Sequence, residues 1–306
     1  MIRFASGKLL EAAIAIWGVV TIVFFVSRVL GDPGALLLPL GATDAELDAL
    51  RASLGLDQPI LMQYFTSLGA MLRGDFGVSF QHMRPAMDVV LERMPATISL
   101  SASALVLGVL IGAVAGTIAA LNRGKLAEFI VMLAALLGQA TPVFWLGLMM
   151  ILLFSVQLGW LPSSGSGTLA HLVLPAVTLA VFVSASIARL LRSSLLDILG
   201  EDYVRTARAK GLLPHTIFTW HVARNALIPV VTMVGIIAGE LLGGSVVTET
   251  VFGWPGIGRL IVQAIQNQDF PVIQAGVALV ATIFVFINLA IDLLYGLLDP
   301  RIRGQR

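Results

Sequence analysis

Six apolar blocks, each long enough to cross a bilayer, constrain this chain more than anything else in it: roughly residues 9–30, 97–121, 129–154, 171–192, 226–248 and 275–297. About 20 apolar residues in helical form cover the ~30 Å hydrocarbon layer, and only a helix satisfies its own backbone polar groups there. The expected fold class is therefore an all-α polytopic membrane protein with six transmembrane helices. Composition agrees: 58% of residues are hydrophobic and 12% charged, and the mean hydropathy is +0.93. A soluble domain carries about 25% charged residues. The first block follows Arg3 and Lys8 as a signal peptide would, but its apolar run is too long and no small-residue cleavage site follows, so it reads as a retained span.

Orientation follows from the short loops. Arg3 and Lys8 precede the first span and Arg123 and Lys125 join the second to the third. Arg205, Arg208, Lys210 and Arg224 join the fourth to the fifth, and Arg301, Arg303 and Arg306 end the chain. All of these fall on one side of a six-span topology. The opposite loops 155–170 and 249–274 hold only Arg259 between them, and 31–96 carries eight acids against four Arg. The positive-inside rule places both termini and the 193–225 loop in the cytoplasm. Three regions result: residues 1–30 with the first span, an external region 31–96, and a core of 97–306 with the other five.

The external region carries helix punctuation. Thr43 and Glu46 form a capping box, Leu47, Leu50 and Leu54 share a face, and Gly55 stops the helix. Asp57 and Pro59 open a second helix with Leu61, Phe65, Leu68 and Leu72 on one side, ended by Gly74. Both read as amphipathic helices on the outer face, either a cap packed on the bundle or a surface for a partner.

Catalytic signatures are missing. There is no GxxxxGK[ST] loop to cradle a nucleotide triphosphate, and no Ser in a GxSxG elbow. His82, His171, His215 and His221 never approach HExxH spacing, and zero Cys removes thiolate ligands and nucleophiles. No metal or cofactor site, enzymatic activity or nucleic-acid partner is expected. Gly108, Gly112 and Gly116 form a GxxxGxxxG face that lets a neighbouring helix come close. Arg189, Glu240 and Asp292 fall within or near the ends of apolar blocks, where an unpaired charge costs several kcal/mol, so each is a candidate pathway or packing charge.

Residues 201–231, EDYVRTARAKGLLPHTIFTWHVARNALIPVV, interrupt the oil with a polar, basic helix-former. A helix from about Glu201 to Lys210 puts Tyr203, Ala207 and Gly211 near one face, with Arg205, Arg208 and Lys210 around it. Gly211 suits a left-handed helix end and Pro214 bars continuation.

At these residues the chain resembles the inner-membrane permease subunits of ABC importers, in the dipeptide, oligopeptide, glutathione and nickel group. That family's cytoplasmic signature is Glu-Ala-Ala, three residues, Gly, and later a hydrophobic-Pro end. Here Arg205-Thr206-Ala207 occupies the triplet, Gly211 keeps its place, and Leu227-Ile228-Pro229 forms the end further downstream, a variant similar to the peptide and nickel subgroup. GDP at 31–33, LGLDQP at 54–59, GDFG at 74–77, ELLGGSVVTETVFGWPGIGRL at 240–260 and DLLYGLLDPRIR at 292–303 carry the similarity along the chain.

The resemblance implies a type I ABC importer permease fold in a bacterial inner membrane, importing di- or oligopeptides, or glutathione or nickel chelates by the same machinery. It implies that 201–213 is a coupling helix, with Glu201, Tyr203, Arg205, Thr206, Ala207, Arg208, Lys210 and Gly211 at the contact with an ATPase. It also implies a second homologous permease, two ATPase subunits holding ATP and Mg, an external substrate-binding protein, and membrane lipid as partners. An ion-coupled secondary transporter is the rival class. It would need coupling-ion residues and two related halves, and no internal repeat is visible.

Overall fold

In the computed structural model, residues 2–30, 43–53 and 55–298 are described, and all their regular elements are helical apart from an isolated bridge between Val78 and Pro85. Leu54, the GDP stretch and the basic residues beyond 298 lie outside the described residues. Five helices are long and apolar enough to cross a membrane, or six if one bent pair counts as a span. The chain forms two compact units, one from Met1–Thr97 and Pro255–Leu289, the other from Ile98–Trp254 and Ala290–Arg306. Residues 255–289 thus group with the first 97 rather than with the rest of the expected 97–306 core.

The first unit holds α1 (Ile2–Leu30), α2 (Asp44–Ser53), α3 (Ile60–Met71), α4 (Ala86–Leu91), α13 (Ile257–Gln266) and the first part of α14 (Phe270–Leu298). The capping box of α2 forms reciprocally: Thr43 N–H donates to Glu46 Oε2 at 2.8 Å and Glu46 N–H to Thr43 Oγ1 at 3.4 Å. The Thr43 amide, followed by its hydroxyl, holds the Glu46 carboxyl below the usual carboxylate range. Gly55 and Gly74 both take positive φ, at 66° and 82°.

Burial explains why 255–289 belongs here. Ile257, Leu260 and Ala264 recur on the inner face of α13 and pack with Val89 and Val90 of α4 and with Phe270, Val272 and Ala275 of α14. A polar clamp closes the same core. Asp269, 1% exposed, accepts hydrogen bonds from Ser79 Oγ at 2.5 Å, Phe80 N–H at 3.2 Å and Gln81 N–H at 3.3 Å. Thr97 Oγ1 likewise accepts from Ile257 N–H at 2.8 Å, satisfying an orphan donor at the start of α13.

In the second unit, α5 (Met94–Leu121, from Ile98 on), α6 (Leu126–Ala140), α7 (Val143–Met150, extended by π-helical Ile151–Gln157) and α8 (Leu169–Leu199) are followed by α9 (Asp202–Ala209). Next come α10 (Pro214–Thr216), a π-helical stretch Ile217–Ala223, α11 (Arg224–Gly244) and α12 (Val246–Val251). The glycine face of α5 meets α8. A methyl at Gly108 would lie 2.5 Å from Val183 Cβ, one at Gly112 2.8 Å from Ser184 O, and one at Gly116 2.6 Å from Ala188 O. Small residues are required because what they face is backbone, or a β-branched side chain at its fixed Cβ, rather than the far end of a flexible side chain.

Block 129–154 is not one continuous span. α6 and α7 are bent by 103° at the break after Ala140. Pro142 disfavours the α conformation for the residue before it, and Thr141 is extended at φ −77°, ψ 125°. The helices flanking the polar segment 201–213 run beyond the expected ends 192 and 226, to Leu199 and from Pro214, so little irregular chain remains between them. Pro214 begins a helix rather than only ending one, as its fixed φ and missing N–H allow at a first position.

Candidate functional site

The short helix α9 stands between two glycines. Gly200 follows α8, and Glu201 is the extended N-cap residue at φ −68°, ψ 147°. Asp202 lies in the first turn and Arg208 in the last, each complementing the helix dipole. At the far end Gly211 has φ 77°. Its N–H donates to Arg208 O at 3.0 Å, and Leu212 N–H donates to Ala207 O at 3.3 Å, the paired bonds of a Schellman motif. The left-handed end expected for Gly211 is present, and a methyl there would meet no atom within 4 Å, so the requirement is conformational.

Which face α9 presents differs from the expectation. Val204 is fully buried and Ala207 is 6% exposed, because this apolar pair, three residues apart, rests on the helix's own chain beside buried Ile217 and Val222. Ala207 is therefore not available as a presented contact. Of the expected contact residues, Glu201, Tyr203, Arg205, Thr206, Arg208, Lys210 and Gly211 are exposed. Arg205 and Asp202 form an exposed ion pair at 3.6 Å, a contact worth little in water. Leu213 and Trp220, 61% and 69% exposed, add apolar surface that the charge pattern did not single out. The available signal was a pair of large apolar residues inside a polar loop.

Tyr203 ties α9 to the start of the next spanning helix. Asn225 Nδ2 donates to Tyr203 Oη at 3.0 Å and to His221 O at 3.2 Å, and Tyr203 Oη donates to His221 O at 3.4 Å. Ser194 Oγ donates to Ala226 O at 3.0 Å, joining α8 to α11 at the same level. Arg192 grips Glu128 Oε1 through Nε at 2.7 Å and through Nη2, while Gly124 N–H donates to Glu128 Oε2 at 2.6 Å, so the start of α6 is fastened to α8 as well. α9 and the helices on either side of it are thereby linked by side-chain hydrogen bonds.

The family described as binding-protein-dependent transport system inner membrane component matches residues 92–304, which contain the whole segment, and the N-terminal region of the same kind of component matches 1–101. The chain belongs to this family of permeases. The permease is 40% identical over 336 residues to the di/tripeptide transport system permease protein DppB of Pseudomonas aeruginosa strain UCBPP-PA14, covering 100% of both chains. It is 41% identical over 304 residues to the glutathione transport system permease protein GsiC of Escherichia coli strain K12, covering 99% of both.

Among solved structures, an inward-facing MetNI methionine ABC transporter matches with TM-score 0.56 at 20% identity, covering 70% of this chain and 97% of that one. An amino acid ABC transporter matches with TM-score 0.53 at 18% identity, covering 70% and 94%. The fold of the permease is thus that of ABC importer permeases, and it is a multi-pass subunit of the bacterial inner membrane that works with other ABC subunits.

Of the candidate pathway charges, Arg189 and Glu240 do not pair with each other. Arg189 is exposed on α8 and Glu240 is exposed on α11, and among the described residues neither forms an ion pair. Asp292 lies in α14, with its side chain outside the described residues.

Proposed function

We propose that this permease forms half of a translocation pathway for di- or oligopeptides, paired with a second homologous permease, and that α9 is the coupling helix received by one of two ATPase subunits. The observation that carries the proposal is a short rigid helix bounded by Gly200 and Gly211, presenting Arg205, Arg208 and Lys210 outward and fastened through Tyr203 and Asn225 to α11. A helix that moves as a body turns closure of the ATPases into rocking of the spans. ATP and Mg belong to the partners, since this chain has no phosphate loop, and the chain itself is non-catalytic.

An external binding protein delivers the substrate. Both termini and α9 lie in the cytoplasm, so a reporter fused after Arg306 should read as cytoplasmic; an external reading would remove the ATPase role. In this arrangement the buried Ala207 holds α9 on its own chain, and the contact is made by the exposed basic face with Leu213 and Trp220. Arg189, Glu240 and Asp292 remain candidates for lining the pathway or packing around it. The likeness to GsiC favours glutathione, itself a peptide, as the second substrate reading.

The test is reversal of Arg205 and Arg208 to Glu, scored by co-purification of the ATPases and by substrate uptake. Both should fall together while pairing with the second permease persists. Retained ATPases with parental uptake would make the segment an ordinary charged loop.

A further inference from the structure

Helix α3 is unlike its neighbour α2. α2 carries Asp44, Glu46, Asp48 and Arg51, whereas no Asp, Glu, Lys or Arg occurs between Asp57 and Arg73. The apolar residues of α3 are largely uncovered: Leu61 is 62% exposed, Phe65 66%, and Leu72, just past the helix end, 82%. A charge-free helix showing such a face belongs in an apolar medium rather than in water.

Its depth is set by the opposite face. Tyr64 is buried, and its hydroxyl lies 2.7 Å from Thr21 Oγ1 of α1. The Tyr64 ring stacks on Phe25 with centroids 5.6 Å apart and meets Phe24 edge-on at 5.4 Å. The stretch of α1 long and apolar enough to cross a membrane is Leu9–Arg28. Thr21 is seven residues before Arg28, about 10 Å into the layer at 1.5 Å per residue. Helices lying in the interface bury their apolar face ~5–10 Å below the headgroup boundary. The exposed apolar residues of α1, Ile14, Trp17, Ile22 and Val26, continue the same kind of surface on the spanning helix itself.

We propose that α3 is a membrane-seated helix, with Leu61, Phe65 and Leu72 among the lipid acyl chains at the end of the bilayer reached by Arg28. Its occupant is lipid, because the helix is anchored below the headgroup level and lacks the charges that a water-facing protein surface carries. In this arrangement α3 braces α1 against tilting.

The chain has no Cys, so single cysteines report cleanly. Leu61→Cys, Phe65→Cys and Leu72→Cys would be nitroxide-labelled in the importer co-assembled with its partner subunits and reconstituted in phosphatidylethanolamine–phosphatidylglycerol vesicles. Collision with oxygen, which concentrates in acyl chains, would be compared with collision with a water-soluble nickel chelate. Ile22→Cys is the lipid reference and Asp57→Cys the aqueous one, with unlabelled-site parental chain as background. The oxygen-to-nickel ratio at the three positions should approach that of Ile22 and exceed that of Asp57 several-fold. A ratio like that of Asp57 would show a water-exposed cap, and low collision with both reagents would show a protein-covered face. Loss of oxygen access only when the binding protein is added would show a docking surface. Any of these three overturns the proposal, and Met62→Cys replaces a position whose labelled variant fails to assemble.

Discussion

Gly211 offers the sharpest test of the coupling helix, because the structure separates conformation from packing there. With φ at 77° the residue occupies the left-handed region, and open space surrounds the position a methyl would take. Within this chain, substitution therefore acts through the backbone. Asn tolerates this region, Ala meets a steric penalty of about 1–2 kcal/mol, and a β-branched Val lies at the upper end of a ~1–3 kcal/mol range.

The penalty works against the Schellman end, whose two bonds contribute about 0.5–1.5 kcal/mol each, so Val can cancel what the motif supplies. A shift of 1–3 kcal/mol changes the ratio of closed to frayed helix end by roughly 5- to 150-fold. ATPase co-purification and substrate uptake should fall in the order Gly211→Asn, Gly211→Ala, Gly211→Val, with membrane level and pairing to the second permease unchanged. Equal behaviour of Asn and Val would refute the reasoning, since it would mean the left-handed end has no part in coupling.

Tyr203→Phe removes the hydroxyl shared by Asn225 and His221, a loss of about 0.5–1.5 kcal/mol per bond, and should lower uptake per ATP hydrolysed while the ATPases stay bound. Unchanged stoichiometry would show that the Tyr203 hydroxyl has no part in coupling. Gly108→Ala places a carbon 2.5 Å from Val183 Cβ and should destabilise the α5–α8 contact by about 1–3 kcal/mol, seen as reduced steady-state level in the membrane; Gly124→Ala, with no atom nearby, isolates conformation from packing. Glu46 has its folded pKa lowered, so its contribution to α2 is present above the ordinary Glu range and is lost as pH falls through the lowered value. The protection of the α2 amides, taken relative to the intrinsic exchange rate at each pH, should fall on acidification, and Glu46→Gln should flatten that dependence.

Short-range backbone rules made much of this chain legible from sequence. The blocks of about 20 apolar residues, the Thr43–Glu46 box, the glycine ends at 55, 74 and 211 and the small-residue face of α5 each depend on residues within a turn or two of one another, or on composition alone. The bend at Thr141–Pro142 was written in the same local code, but a continuous apolar run masked it.

What the tertiary structure decided is of another kind. Asp269 binds Ser79 across 190 residues and draws 255–289 into the first unit, and Tyr203 meets Asn225 through side chains on separate helices. The roll of α9 that buries Ala207 was fixed by a packing partner, the stretch around Ile217 and Val222. In a chain this apolar, hydrophobicity marks nearly every helix face alike. Which face turns to protein and which to lipid is therefore set by close packing and by the few polar groups that must find partners out of water.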